Sequence, residues 1–332
     1  MLPVIFGLSG LDLTPGERAL FCAADPAGYI LFARNCRDRV QLRALTDSLR
    51  DMAGRNLPIL IDQEGGRVAR LQPPEWPVFP PPAAFAALYR VAPISAMEAA
   101  RVNGLALAAV LREVGINVNC LPLLDIPQAD ADPIIGDRAL GQEPMQVAAL
   151  GRALLDGMAT GGVAGVVKHL PGHGRATADS HKALPIVTAG REELESDFAP
   201  FAKLRAAAIG MTAHIVYTAL DPGRCASLSP RIIADTIRGD IGFDGLLLSD
   251  DIGMDALTGS PAARACAVVE AGCDLALHCS GDLAEMEAIG AALPPLDAAA
   301  GERLHRALPA AAPDPTTYAE LAAKRDALLA YA

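Results

Sequence analysis

The sequence predicts an α/β protein, a single (β/α)8 barrel of the TIM type with long βα loops, and three observations carry that expectation. Short apolar stretches alternate with helix-like stretches about eight times along 332 residues, and strict strand-then-helix order argues for parallel strands. The strand-like stretches are apolar throughout rather than alternating, as expected when both faces are buried. Polar clusters follow the third, fifth, sixth and seventh strands, and in a closed barrel all of those ends meet at one rim. An open doubly wound sheet is the alternative, but no G-x-G-x-x-G follows the first strand.

In order, 4–7 (V-I-F-G) reads as a first strand. Gly10 and Pro15 bracket a turn, and 17–24 continues as a helix. The second strand is 28–32 (G-Y-I-L-F), with a helix at 40–52; the third is 58–61, ending in D-Q-E-G-G-R at 62–67. A proline-rich passage, 73–82, holds the only tryptophan, Trp76, and an alanine-rich helix covers 95–114. The fourth strand is 116–119. After it, 121–143 is long and irregular and carries Asp125, Asp130, Asp132, Asp137 and Arg138; loops of that kind in a compact domain are usually functional. A helix at 145–160 leads to the fifth strand, 163–167. Helix 191–208, strand 210–213 before His214, helix 230–238, strand 245–248 before S-D-D, helix 261–271 and strand 274–278 complete the set. Helices then take 283–292 and much of the tail past Pro309, including 318–332. The barrel and a helical tail from about 299 use the whole length, so 1–332 is expected to form one domain.

Hydrophobic residues make up 52% and aromatic ones 4%, which suits helix-rich packing better than a β-sandwich. A net charge of −11 argues against nucleic acid as a partner. The seven cysteines are scattered and lack a C-x-x-C pair, the pattern of reduced thiols in a cytosolic protein. No basic segment followed by an apolar one opens the chain, and no apolar run reaches the roughly 18 residues of a membrane span. A cytoplasmic monomer with no membrane partner is expected.

Chemistry is densest at 168–181, K-H-L-P-G-H-G-R-A-T-A-D-S-H. Lys168 and His169 follow a buried strand, so the lysine must be paired or forced neutral. His169 and His173 have metal-pair spacing, but Pro171 and Gly172 between them exclude helical presentation, and neither metal nor cofactor is expected. Asp179 and His181, meeting through a local turn, have the makings of a proton-transfer dyad, because an aspartate on one ring nitrogen orients the other and raises its basicity. The plainer view of His181 is a solvated loop histidine. No G-x-S-x-G surrounds Ser180, which argues against a serine nucleophile. In D-Q-E-G-G-R-V-A-R, 62–70, Asp62 can accept from hydroxyls while Arg67 and Arg70 offer forked donors, which suits a polyhydroxylated ligand. The plainer view is an acid near a helix N-terminus. In extended backbone Asp250 and Asp251 point to opposite sides, so one faces the barrel mouth; alternation does not say which. An acid there is a candidate nucleophile for a sugar's anomeric carbon, or else a helix cap.

Taken together, K-H-L-P-G-H-G followed by D-S-H, D-Q-E-G-G-R-V, and S-D-D before I-G-M resemble glycoside hydrolase family three, from about Val4 to His278. Within it the resemblance is to the bacterial cytoplasmic β-N-acetylhexosaminidases of peptidoglycan recycling. It implies Asp250 as nucleophile, His181 as proton donor and acceptor, and Asp179 as the residue that orients His181. Asp62, Arg70, Lys168 and His169 match positions that hold N-acetylglucosamine. Arg138 lies in G-D-R-A-L-G where the family pattern is G-x-R-S-F-G, so the wall around it differs. Arg67 and His214 are further candidates for the sugar pocket. The implied substrate is a muropeptide, cleaved by double displacement with retained configuration. A histidine in the acid/base role does not repel an anionic acceptor, which leaves a phosphorylase as the alternative; a metal-dependent hydrolase on the same barrel is another.

Overall fold

The computed structural model describes residues 1–129, 131–180, 183–309 and 313–331. Eight strands are laid side by side and closed: β1 (Leu2–Gly7), β2 (Pro26–Leu31), β3 (Ile59–Ile61), then β6 (Val118–Asn119), β7 (Ala164–Leu170), β9 (Ile209–Thr212), β11 (Leu246–Asp251) and β12 (Leu275–His278). Neighbours are parallel throughout, and β12 returns to β1. Between β3 and β6 sits a short antiparallel hairpin, β4 (Gln63–Gly65) and β5 (Val68–Ala69); β8 (Ile186–Val187) pairs with β10 (Val216–Tyr217) outside the barrel. The closed (β/α)8 architecture expected from the strand pattern is the one observed.

Period-two alternation divides each strand between two cores. Ile5, Ile30, Leu60, Val118, Val166, Met211, Leu248 and Leu277 fill the lumen. Their neighbours, such as Val4, Phe6, Leu31, Val167 and Leu247, pack outward against the helices. Each large apolar side chain buried this way contributes about 1.5–3 kcal/mol. The outer layer comprises α1 (Pro15–Ala24), α2 (Arg39–Ala53), α3 (Pro82–Tyr89), α4 (Pro93–Glu113), α5 (Pro144–Thr160), α6 (Arg191–Lys203), a wider π-type turn at Ile232–Asp240, α7 (Pro261–Glu270), α8 (Leu283–Ala292), α9 (Ala298–Ala307) and α10 (Tyr318–Leu329). Helix α4 is long and apolar enough to cross a membrane, but most of it is buried, packed against α3, α5 and α10. Several helix starts are capped by side chains: at α1 the Thr14 hydroxyl accepts from Glu17 N, and the Glu17 carboxylate accepts from Thr14 N and Ser9 N.

Several boundaries differ from the sequence expectation. The fifth strand does not stop at Val167 but runs through Lys168 and His169 to Leu170, and the seventh runs through both aspartates to Asp251. Each extension contains a bulge: pairing shifts between Lys168 and Leu170 against β9, and between Leu248 and Asp251 against β12. The sixth helix ends at Lys203, not 208. Helix α3 and the two short strand pairs were not anticipated.

Candidate active site

A cavity of about 340 Å³ opens at the C-terminal rim of the barrel. Ile30, Met211 and Leu277 form its floor, and Asp62, Arg67, Arg70, Arg138, Lys168, His169 and Asp250 line its walls. Thus the polar wall residues, drawn from four segments up to 188 positions apart in sequence (62 to 250), converge on one space.

One wall is built from charge. Asp62 follows β3 directly and accepts from Lys168 Nζ at 3.1 Å and Arg70 Nη2 at 3.0 Å. Two residues on, extended backbone returns Glu64 to the same side, fully buried. Its carboxylate lies 2.8 Å from Lys168 Nζ and accepts from Arg138 Nε and Nη2 at 2.8 and 2.9 Å, a bidentate fork. Burial pushes the Asp62 and Glu64 carboxyls up, but Lys168 first, with Arg70 for Asp62 and Arg138 for Glu64, outweighs it and holds both below the ordinary range. Burial works against the Lys168 ammonium as well, yet Glu64 and Asp62 keep it charged, with a pKa above the usual lysine value. These are buried charges that persist because each is paired.

The hairpin carries this wall. Gly65 and Gly66 turn at φ +100° and +58°, and a Cβ on Gly65 would come within 2.3 Å of the Pro80 carbonyl oxygen. A side chain there is excluded by space as well as by conformation. Just beyond, Arg67 donates from Nε to Asp137 at 2.8 Å and from Nη2 to the Ile134 carbonyl, clasping the loop that bears Arg138.

A second buried acid sets the histidines. Asp125, completely buried, accepts from His169 N, His173 N and His169 Nδ1 at 3.1, 2.7 and 2.8 Å. A carboxylate can only accept, so Nδ1 carries a proton and the ring is held with Nε2 on its other side. Burial raises the Asp125 pKa, but His169 and the donated hydrogen bonds bring it down to about 2. His169 is the extra residue of the β7 bulge, which is how consecutive Lys168 and His169 both reach the cavity.

The β11 bulge does the same for the acid pair, and both Asp250 and Asp251 line the cavity, not one as alternation suggested. They differ in their engagements. Asp251 Oδ1 accepts from Gly253 N at 2.9 Å and Cys279 N at 3.1 Å, which ties it to the neighbouring backbone. Asp250 Oδ1 accepts from Asp251 N at 2.8 Å. His214 is placed behind the cavity rather than on its wall: Nε2 donates to the Asp251 carbonyl at 3.0 Å, and Nδ1 lies 2.7 Å from Ser227 Oγ.

The loop after β7 closes the far side. His173 Nε2 lies 3.2 Å from Ser180 Oγ, Tyr217 donates to the Gly172 carbonyl, and Arg175 donates to Asp197 at 2.6 Å. Gly174 passes so near Ile126 that a Cβ would meet its carbonyl oxygen at 1.9 Å. Asp179 is half-buried in this loop, and His181 lies outside the described residues. Among the described residues no group of three His, Cys, Asp or Glu side chains could hold a metal ion.

Residues 17–307 match the N-terminal domain of glycosyl hydrolase family 3. The chain belongs to that family. Among family 3 relatives, a beta-hexosaminidase of Alkalilimnicola ehrlichii is 39% identical over 84% of this chain and 80% of its own length. One from Bordetella avium is 37% identical over 94% and 90%. The structure of Neisseria gonorrhoeae NagZ in complex with N-trifluoroacetyl-D-glucosamine is 30% identical, with a TM-score of 0.88, covering 99% of this chain and 96% of that one. As a family 3 member the protein is a glycoside hydrolase. Of the buried acids at the site, Glu64 was not singled out from sequence, and Asp125 stood only as one acid among several in the long loop. Glu64 had a signal: two positions after Asp62 in an extended run, it shares a face with it. So did Asp125, a lone acid after the apolar run Leu121–Leu124, which burial obliges to find partners.

Proposed function

We propose that the protein is a retaining exo-β-N-acetylglucosaminidase that removes terminal N-acetylglucosamine from muropeptides carrying a 1,6-anhydro-N-acetylmuramyl aglycone. On this reading residues 1–332 act as one catalytic domain, a monomer in the cytoplasm, without metal or cofactor. The observation that carries it is Asp250 on the same small cavity as the Asp62, Arg70, Arg138, Lys168 and His169 wall, within a chain whose relatives are named beta-hexosaminidases.

In this mechanism the charged wall holds the ring hydroxyls, with Asp62 accepting and Arg70, Arg138 and Lys168 donating. The Asp250 carboxylate attacks the anomeric carbon while His181 gives its proton to the departing oxygen, leaving a glycosyl-enzyme ester. Neutral His181 then takes a proton from water, which opens the ester, so two inversions restore the starting configuration. Asp179 orients His181. A histidine with an ordinary pKa of about 6.5 can serve in both steps near neutral pH.

The test is product analysis on a defined β-N-acetylglucosaminide and on an anhydro-muropeptide, with and without phosphate and after chelation. Free N-acetylglucosamine, formed first as the β-anomer, is expected in every case. Release of the sugar 1-phosphate would make the protein a phosphorylase, loss of activity on chelation a metal-dependent hydrolase, and release of the α-anomer would remove the double displacement.

A further inference from the structure

Glu64 presents a problem that the proposed chemistry does not solve. A carboxylate with no exposed side-chain surface is set into the lining of the cavity, its oxygens taken up by Lys168 and Arg138. Unpaired it would be strongly destabilising, so it is retained for what it holds. It holds two cations from different parts of the chain: Lys168 at the end of β7 and Arg138 in the long loop after β6, 30 residues apart (168 − 138). Lys168 is in turn shared with Asp62, which engages Arg70. Remove Glu64, and among the described residues the Arg138 guanidinium keeps only its bond to the Ile134 carbonyl, at 3.3 Å. The five side chains Asp62, Glu64, Arg70, Arg138 and Lys168 sum to a charge of +1 (three cations, two anions). With Arg67, Asp250 and Asp251, which line the same cavity, the acids and the Lys and Arg side chains balance at zero (four of each), and loss of Glu64 leaves the cavity at +1.

We infer that Glu64 is a positioning residue for sugar binding: it fixes the Lys168 ammonium and the Arg138 guanidinium in donor geometry toward the ligand and cancels enough of their charge to keep the cavity from binding anions. This rests on the sugar-holding role proposed above for those two cations. Glu64 takes no part in bond making or breaking, so its removal weakens ground state and transition state alike.

The experiment is steady-state kinetics of Glu64→Gln, an isosteric change that removes the charge, with calorimetric binding of N-acetylglucosamine and inhibition by inorganic phosphate. The expected result is a rise in KM and in the sugar's Kd of about 10–100-fold, with kcat within about threefold, because a uniform binding interaction is lost. Phosphate should inhibit the variant at concentrations that leave the unmutated protein untouched. A role in folding alone gives the reverse pattern, lower Tm and kcat with KM, Kd and phosphate response unchanged, and overturns the inference. If Glu64→Gln does not fold, Glu64→Asp carries the test: it keeps the charge but draws the carboxylate back from the Arg138 fork. A smaller KM rise supports the inference, and an unchanged KM ends it. If the unmutated protein takes up no N-acetylglucosamine, the sugar-site reading falls and takes this one with it. If it does, and the variant binds equally well, only the Glu64 inference falls.

Discussion

The two sides of the cavity are held by different forces. On the β3–β7 side, Asp62, Glu64, Arg70, Arg138 and Lys168 form a continuous ion-pair chain, most of it shielded from water, with a bidentate fork at its centre. On the opposite side, the described part of the loop that carries Asp179 is tied by mixed contacts: His173 to Ser180 and Asp125, Tyr217 to Gly172, and Arg175 to Asp197, Ser196 and the Glu193 carbonyl. On the proposed mechanism the groups that hold the ligand thus have their geometry fixed before it arrives, which spares reorganisation on binding. The side to which the proposed mechanism assigns proton transfer relies on shorter-range contacts. Substitutions on the first side should therefore appear in binding, and on the second in the chemical step.

The largest effect belongs to neither side alone. Asp250→Asn should lower kcat by at least about 10⁴-fold on a chromogenic β-N-acetylglucosaminide, since no ester can form. If Asp251→Asn were the inactive variant instead, the choice within the pair would be wrong. Next comes the loop side. His181→Ala should lose roughly 10²–10⁴-fold, more for a sugar leaving group than for a nitrophenolate, which departs with little help from an acid. Equal losses on both substrates would remove His181 as proton donor.

On the charged side, Asp125→Asn strips the acceptor from His169 Nδ1 and weakens two backbone contacts. About 2–4 kcal/mol of stability should be lost, together with a rise in KM that exceeds the fall in kcat. A fall confined to kcat would place His169 with the proton-transfer side and dissolve the contrast. The smallest effect tests the loop by pH. Burial, then His169, lowers the His173 pKa from 6.5 to about 4, so its contribution is intact above pH 6.5 and drains as pH falls toward 4. Asp197 runs the other way: burial raises it to about 6, so acid relieves an ionised buried group. His173→Asn removes only the first trend. Its Tm deficit at pH 7.5 should shrink by about 2–4 °C at pH 5. A deficit constant across that range would mean that His173 is protonated as readily folded as unfolded.

The barrel was legible because its strands are apolar without interruption and parallel pairing demands that. What was not legible lay where polarity and burial coincide. Lys168 and His169 looked like the start of a loop after a strand ending at Val167; they belong to β7 because partners from β3, β4 and the segment after β6 satisfy them there. The same holds for Asp250 and Asp251 in β11. Glu64 was passed over, and Asp125 left as one acid among several, for a related reason: an acid's worth depends on which partner folding brings beside it, and those partners are distant in sequence. Helix α3 was hidden by the prolines around it, although Pro82 stands at its first turn, where proline is tolerated. Family resemblance supplied roles that spacing alone left open, above all for the pair at 179 and 181.

The irregular pairing in β7 and β11 has a consequence for how such a chain can change. In each strand one surplus residue lets two successive side chains serve the same chamber. Replacing either side chain alters one function and leaves the frame standing. Removing a single residue would make the rungs uniform again and rotate everything beyond it by half a turn, so that a wall became a ligand-holder and a ligand-holder became a wall. Length, more than identity, is the property these two short stretches have least freedom to lose.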